Sequence, residues 1–214
     1  MARAIQLPVP QKATLPEGVL ERQAWTFYDF QAYAAAGQNA LTFFQSPKGQ
    51  NGRTGEDTNF PGAGSLPRGM RFTLQELQFM FQPGAAVVPG SFGAQAAPRY
   101  VNDVHAVGRN GFVEFLYGSK NIIEEGPLGR FPPDTRLDGF GAAADATTAA
   151  ASLQTLLNYA QWSGRPFRVA DVLIEAQFNF SVQVSWPLGV VALPSTVAGR
   201  LGCFMRGVLD RVAQ

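Results

Sequence analysis

The chain has 214 residues, 46% of them hydrophobic and 15% charged, with a formal net charge of +1. That length allows one large β domain or two small ones, and so even a charge balance excludes a global electrostatic footprint for nucleic acid. Charged residues fall well below the usual share of about 25%, a composition that leaves a surface prone to association.

Residues 1–20 are rich in Pro, Gln and Ala and show little periodicity. They are expected to form an extended arm, with 21–214 as a single domain. The arm's apolar side chains, Ile5, Leu7, Val9 and Leu15, have no periodic face with which to build a core of their own, so they are expected to bury on a neighbour. Arg3 and Lys12 are its main charges before Glu17, too few for a basic genome-binding arm. Residues 1–16 lack the apolar stretch of a signal peptide, so none is expected, and no apolar run approaches a membrane span.

Trp25–Tyr33 is aromatic-rich and Ala40–Gln45 is a short apolar run, and both read as strands. Ser46–Gly69 then holds six glycines and three prolines, a loop of the length that usually carries function or disorder. Met70–Phe81 reads as a strand with a fault. Phe72 and Leu74 lie on one parity, and Leu77, Phe79 and Phe81 on the other. A β-bulge near Gln75-Glu76 restores one apolar face. Val101–Val107 and Phe112–Tyr117 flank Arg109-Asn110-Gly111, and Asn-Gly between strand-like runs predicts a hairpin. The strand pattern continues at Lys120–Glu125, and Gly126–Gly141 reads as irregular.

Asp145–Gln161 is the one segment with helical spacing, since Leu153, Leu156, Leu157 and Ala160 fall at i, i+3, i+4 and i+7. Asp145 can cap its start, and Gly164 and Pro166 follow its end. From Ile174 to Trp186 every even position is apolar and every odd one polar. That alternation predicts one antiparallel strand with its even side chains buried and its odd side chains wet. Gly199–Val208 reads as a final strand with Leu201, Cys203 and Met205 on one side. The whole predicts an all-β fold, an antiparallel β-sandwich and most naturally a single jelly roll, with one helix at about 145–161 and long Gly/Pro-rich loops.

Little in the sequence points to chemistry. Cys203 is the single cysteine, which excludes an intrachain disulfide. His105, the single histidine, falls in a predicted strand beside Asp103. No Gly-x-Ser-x-Gly elbow and no zinc-ligand spacing accompanies it. Glu124 and Glu125 are adjacent, so in a strand they point to opposite faces and cannot together clasp a glycosidic bond. Gly62-Ala-Gly64 and the glycines between 84 and 93 do not open a helix after a strand, and are better suited to turns. Asn179-Phe180-Ser181 matches a glycosylation triplet but lies inside the best strand pattern. The aromatics from Trp25 to Tyr33 suit a stacking platform for sugars or bases as well as core and interface packing. No catalytic, cofactor-binding or metal-binding residue is therefore assigned, and no cofactor is expected.

Three stretches of the chain resemble structural proteins of bacterial viruses. They are Asn121 to Pro133 (Asn-Ile-Ile-Glu-Glu-Gly-Pro-Leu-Gly-Arg-Phe-Pro-Pro), the strand ending Ser185-Trp186-Pro187, and the terminus Val208 to Gln214. The class is the jelly-roll capsid proteins of icosahedral, tailless bacteriophages. The resemblance is one of style over roughly half of the chain, without a signature motif. It implies a self-assembling capsid subunit, expected to be the major one, made in the host cytoplasm, located in the virion and without catalytic activity. Its partners would be copies of itself, other virion proteins and, in phages that have one, an internal membrane. Tight direct contact with nucleic acid is not expected. The alternative is a carbohydrate- or receptor-binding β-sandwich, and an enzyme comes third.

Overall fold

The computed structural model describes residues 20–84, 99–118, 121–131, 136–145, 153–161 and 166–212. The expected arm therefore lies, but for Leu20, outside the described residues, as do Ile5, Leu7, Val9 and Leu15. The described strands are β1 (Leu20–Tyr33), β2 (Ala40–Phe43), β3 (Met70–Gln82), β4 (Phe112–Tyr117), β5 (Asn121–Pro127), β6 (Arg136–Asp145), β7 (Leu153–Gln161), β8 (Phe167–Ile174), β9 (Phe180–Ser185) and β10 (Gly199–Val212). Helix α1 (Arg99–Asn110) precedes β4, and a 3-10 turn (Leu128–Arg130) follows β5.

Two four-stranded antiparallel sheets pack face to face, ordered β1-β10-β3-β8 and β2-β9-β4-β5, with β6 and β7 forming a separate hairpin. With that hairpin set aside and the other eight strands numbered in chain order, the neighbours include 1-8, 2-7, 3-6 and 4-5. These are the pairs of one long antiparallel ribbon folded at its middle and wound across two sheets, which is a jelly roll. The fold is thus the all-β sandwich expected from the sequence.

The core lies between the sheets. Phe27, Phe72, Leu74, Phe79, Cys203 and Met205 face Phe43, Val113, Phe115, Phe180, Val182 and Val184. Aromatic rings meet edge to face: Phe27 lies 5.0 Å from Phe72, and Phe180 lies 5.4 Å from Phe60. Each such burial is worth about 1.5–3 kcal/mol before the entropy of ordering is counted.

The bulge expected near Gln75-Glu76 is present. β10 pairs Arg206 with Glu76 and Gly207 with Leu74, so Gln75 is the extra residue. It brings Phe72 and Leu74 onto the same buried side as Leu77, Phe79 and Phe81. Gly207 is required opposite it, because a Cβ there would strike the Thr73 carbonyl. Leu201, Cys203 and Met205 are buried together, as their parity predicts.

Three expectations are corrected. The described residues of the segment at about 145–161 form no helix: Asp145 ends β6, and Leu153–Gln161 is β7, which pairs with β6 from Arg136 to Asp145. A backbone ladder pairs the peptide groups on one side of that strand, and such pairing overrides a helical spacing of leucines. The helix is α1, where a strand and an Asn-Gly hairpin were expected. Asp103 and Val107, four residues apart, turn the same way into the protein, and Asn110-Gly111 ends the helix instead of joining two strands. A Cβ at Gly111 would lie 2.9 Å from Leu128. Finally, 174–186 is not one strand: Ile174 ends β8, and β9 begins only at Phe180. Gln177 takes a φ of +60°, which no strand allows, and Phe178 is exposed. The alternation holds from Phe180 to Trp186, where Phe180, Val182, Val184 and Trp186 are buried.

The loops gather at the two ends of the sandwich. One end holds 34–39, α1 and 186–198: Leu193 N–H donates to Ala35 C=O at 2.8 Å, and Trp186 Nε1 to Val107 C=O at 3.2 Å. The other holds 44–69, Gly118 and 175–179: Gln177 N–H donates to Leu66 C=O and Phe180 N–H to Gly64 C=O, both at 2.8 Å. The long loop at 46–69 is anchored by its own chain, with Phe60 and Leu66 in the core.

Candidate functional surfaces

The residues singled out in the sequence do not converge on one site. His105 is exposed on α1 instead of lying in a strand, and two residues away on a helix Asp103 points elsewhere. Asp103 is buried, and its carboxylate accepts the Ser195 N–H at 2.9 Å. Glu124 pairs with Arg130 at 2.9 Å, while Glu125 is exposed, in keeping with their opposite faces on β5. Gly62 and Gly64 serve a turn: Gly64 has a φ of +66°, and a Cβ on Gly62 would strike the Ser65 carbonyl. Cys203 is fully buried, and burial pushes its thiol well up, with the charge of Asp29 adding to the effect. That is the environment of an inert thiol. Among the described residues no group of three His, Cys, Asp or Glu side chains is placed to hold a metal ion.

The aromatic strand divides by parity. Phe27 and Tyr33 enter the core. Tyr28 and Phe30 lie on the outer face beside Phe204 of β10, with the Phe30 and Phe204 rings 5.5 Å apart and perpendicular. The Arg200 guanidinium sits 5.3 Å from the Phe30 ring centre. Phe30 is only 7% exposed, and the Tyr28 hydroxyl donates to the Gly55 carbonyl. The rings are therefore mostly packed against their own sheet and offer little open face for stacking.

Three features escape a reading of the sequence. The first is the edge of β1. From Thr26 to Phe30 it is capped by the chain's own loop. Phe30 N–H donates to Asp57 C=O at 2.7 Å, Asn59 N–H to Tyr28 C=O at 3.3 Å, and Tyr28 N–H to Asn59 Oδ1 at 2.8 Å. Asn59 Nδ2 completes the mimicry by donating to Thr26 C=O at 2.7 Å. A side-chain amide thus stands in for a strand, which is one way of guarding an edge. Beyond Thr26, towards Leu20, that cap stops. Beside the cap, a cleft of about 460 Å³ spans β1, β10 and β3, lined by residues that include Ala24, Thr26, the capping Asn59, Glu76 and Arg206.

The second feature is an apolar cavity of about 340 Å³ beneath α1, lined by Phe79, Val104, Val107, Leu128 and Phe131 with His105 and Arg109 also in its wall. The third is a set of exposed apolar side chains at the ends of the sandwich. Leu188, Val190 and Val197 project from the β9–β10 connection, with Leu188 88% exposed, while Phe178 stacks on Tyr117 at the opposite end at 4.5 Å. Such residues were invisible in the sequence because the alternation there assigned Phe178 to the core.

Behind the end loop, Asp29 is fully buried. It accepts the Phe44 N–H at 2.6 Å and pairs with Arg53. Burial raises its carboxyl above the ordinary value, opposed by Phe44, Gln31 and Arg53. The pair fastens the 44–69 loop to β1. No protein-family model, curated protein or solved structure matches the chain.

Proposed function

We propose that the protein is a virion structural subunit, a self-assembling capsid protein of a bacterial virus that performs no catalysis. The observation that carries this reading is where the apolar surface lies. Leu188, Val190 and Val197 at one end and Phe178 at the other are exposed, on a jelly roll whose composition is only 15% charged. End loops of this kind meet neighbours when sandwiches are set side by side in a closed shell, and burying such side chains favours that contact. A jelly roll by itself implies no function, so the weight falls on that surface and on the resemblance in residues 121–133, 185–187 and 208–214.

The arm at residues 1–20 acts in this reading as a latch between subunits. Its anchors would gain about 1.5–3 kcal/mol each when buried, against about 1–2 kcal/mol for every residue ordered. It therefore adds specificity to a larger contact between sandwiches. The test is the native mass of the purified protein with electron micrographs, alongside a variant lacking residues 2–16. The full chain should give closed particles, and the variant should stay folded but assemble poorly or into wrong forms. A full-length protein that remains monomeric at high concentration and in its native source would end the shell reading.

A carbohydrate-binding sandwich is the second reading, although the outer Tyr28, Phe30 and Phe204 group with Arg200 beside it leaves little ring face for a sugar. A glycan-array signal lost in Phe204→Ala would support it. The small net charge predicts no tight, salt-sensitive binding to DNA by this chain.

A further inference from the structure

Two Asn-Gly dipeptides occur in the chain, Asn51-Gly52 and Asn110-Gly111, and the structure holds them in different ways. Lys48 to Gly52 are five exposed residues in a row. Within them Asn51 and Gly52 take φ values of +51° and +74°. The Arg53 N–H donates to the Gln50 carbonyl at 2.9 Å, and the Gly49 N–H donates to the Arg53 carbonyl at 2.9 Å. This is a two-residue turn of type I′ form. Nothing lies within 4 Å of the place a Cβ on Gly52 would take. The Asn51 amide nitrogen donates to Ser46 Oγ at 3.3 Å, longer than an ordinary hydrogen bond.

Asn110-Gly111 is enclosed. Gly111 is buried, and its carbonyl accepts the Leu128 N–H at 2.7 Å. A Cβ on Gly111 would lie 2.9 Å from Leu128 and 3.2 Å from the Val107 carbonyl oxygen. Asn110 is half-buried in the last turn of α1. Rotation of the backbone there requires the end of the helix to open first.

We propose that Asn51 is a site of spontaneous deamidation, and that its isoaspartate product loosens the 44–69 loop. The Gly52 backbone nitrogen attacks Asn51 Cγ. The new N–Cγ bond closes a five-membered imide, the Cγ–Nδ2 bond breaks, and the Gly52 amide proton leaves with that nitrogen as ammonia. Water then opens the imide. Attack at Cγ restores the ordinary backbone with an aspartate side chain. Attack at the Asn51 main-chain carbonyl carbon leaves the chain running through Cγ, which is isoaspartate. The reaction needs rotation about the Asn51 backbone, which an exposed turn allows, and a following residue without a side chain, which Gly52 supplies.

The consequence falls on Arg53, one residue further on. Isoaspartate adds one carbon to the main chain, about 1.5 Å of bond, so the two 2.9 Å bonds that close the turn on Arg53 are lost. Arg53 is the cation that pairs with buried Asp29 and donates to the Phe30 carbonyl at 2.7 Å. The attachment of the loop to β1 therefore has a lifetime set by one side chain. It does so whether or not the protein assembles.

The test is to age the full-length protein in mildly alkaline buffer, with peptide mapping by mass spectrometry and limited proteolysis at intervals. Asn51 should convert about tenfold faster than Asn110, with isoaspartate found at residue 51. Aged protein should be cut between residues 46 and 69 about tenfold faster than fresh protein. Asn51→Gly accepts the positive φ and has no carboxamide, so its cutting should not change with age. Fresh Asn51→Asp carries the charge without the added carbon, and should be cut within about twofold of fresh wild type. Equal conversion at Asn51 and Asn110 would overturn the site. Isoaspartate at residue 51 with unchanged cutting would overturn the loosening, as would Asn51→Gly protein that ages like wild type. Fresh Asn51→Asp cut as fast as aged wild type would assign the effect to charge and overturn the backbone account.

Discussion

The two ends of the sandwich solve the same problem in different ways. Each must fasten irregular chain to the sheets, and each uses a buried carboxylate that accepts a loop N–H. At the end that holds the 44–69 loop, Asp29 takes the Phe44 N–H and pairs with Arg53, which also donates to the Phe30 carbonyl at 2.7 Å. At the helix end, Asp103 takes the Ser195 N–H at 2.9 Å, and neutral bonds share the work. The Tyr33 hydroxyl donates to Val191 C=O at 2.7 Å, and Trp186 Nε1 to Val107 C=O at 3.2 Å. The first end concentrates its attachment in one buried ion pair, and the second distributes it. A concentrated attachment fails at a single substitution, whereas a distributed one weakens by degrees.

The comparison breaks most completely in the core beneath the first end. Phe180 packs against Phe44 and Phe60 of that loop, so Phe180→Asp buries an unpaired charge and costs several kcal/mol, on the order of the whole stability. Phe178→Asp, two residues away on an exposed side chain, should change stability by less than about 1 kcal/mol. Urea unfolding of the two variants checks the corrected strand boundary, and equal losses would restore a single strand through 174–186.

Next in size is Arg53→Ala, which leaves Asp29 buried without its cation. A loss of about 3–5 kcal/mol is expected, with faster proteolysis between residues 46 and 69. Asp103→Ala leaves only the Ser195 N–H without its acceptor and should cost about 1–3 kcal/mol, with the helix end otherwise protected in hydrogen exchange. If the order of these two is reversed, attachment at the first end is not concentrated in the ion pair.

The smallest effect is on pH. Burial raises the Asp29 carboxyl above 3.8, so the folded chain holds that proton more tightly than the unfolded chain. Its contribution to stability therefore falls as pH rises from below 3.8 through the folded value. Compared with Asp29→Asn, which has no such proton, wild type should lose relative stability across that window. The opposite slope in paired denaturation curves would mean that Arg53 outweighs burial.

How far the sequence reaches depends on which force acts locally. The sandwich was legible because strand alternation is imposed by burial of one face, as in Phe180 to Trp186. The bulge at Gln75 was legible because a parity fault has few other remedies. The break at Gln177 was not, because glycine is the usual sign of a positive φ and none is present there. α1 was hidden because Val101, Val104 and Val107 are β-branched and Asn110-Gly111 reads equally as a hairpin or a helix end. β7 was hidden because its partner β6 lies in a stretch rich in Gly and Ala, with no alternation of its own. As for the candidate surfaces, the edge cap by Asn59 depends on a side-chain amide meeting a strand distant in sequence, and no local pattern encodes that.

The winding of the ribbon also fixes when the molecule can exist. β10 lies between β1 and β3, and Leu20 pairs with Val212. Synthesis from the N-terminus makes β1 early, yet its sheet stays divided until residues 199–212 emerge from the ribosome. Contacts of such long sequence separation form slowly. Phe27, Phe72 and Phe79 must therefore wait, without their central strand, until residue 212 has been translated. Chaperone occupancy on nascent chains should end only after β10 is released.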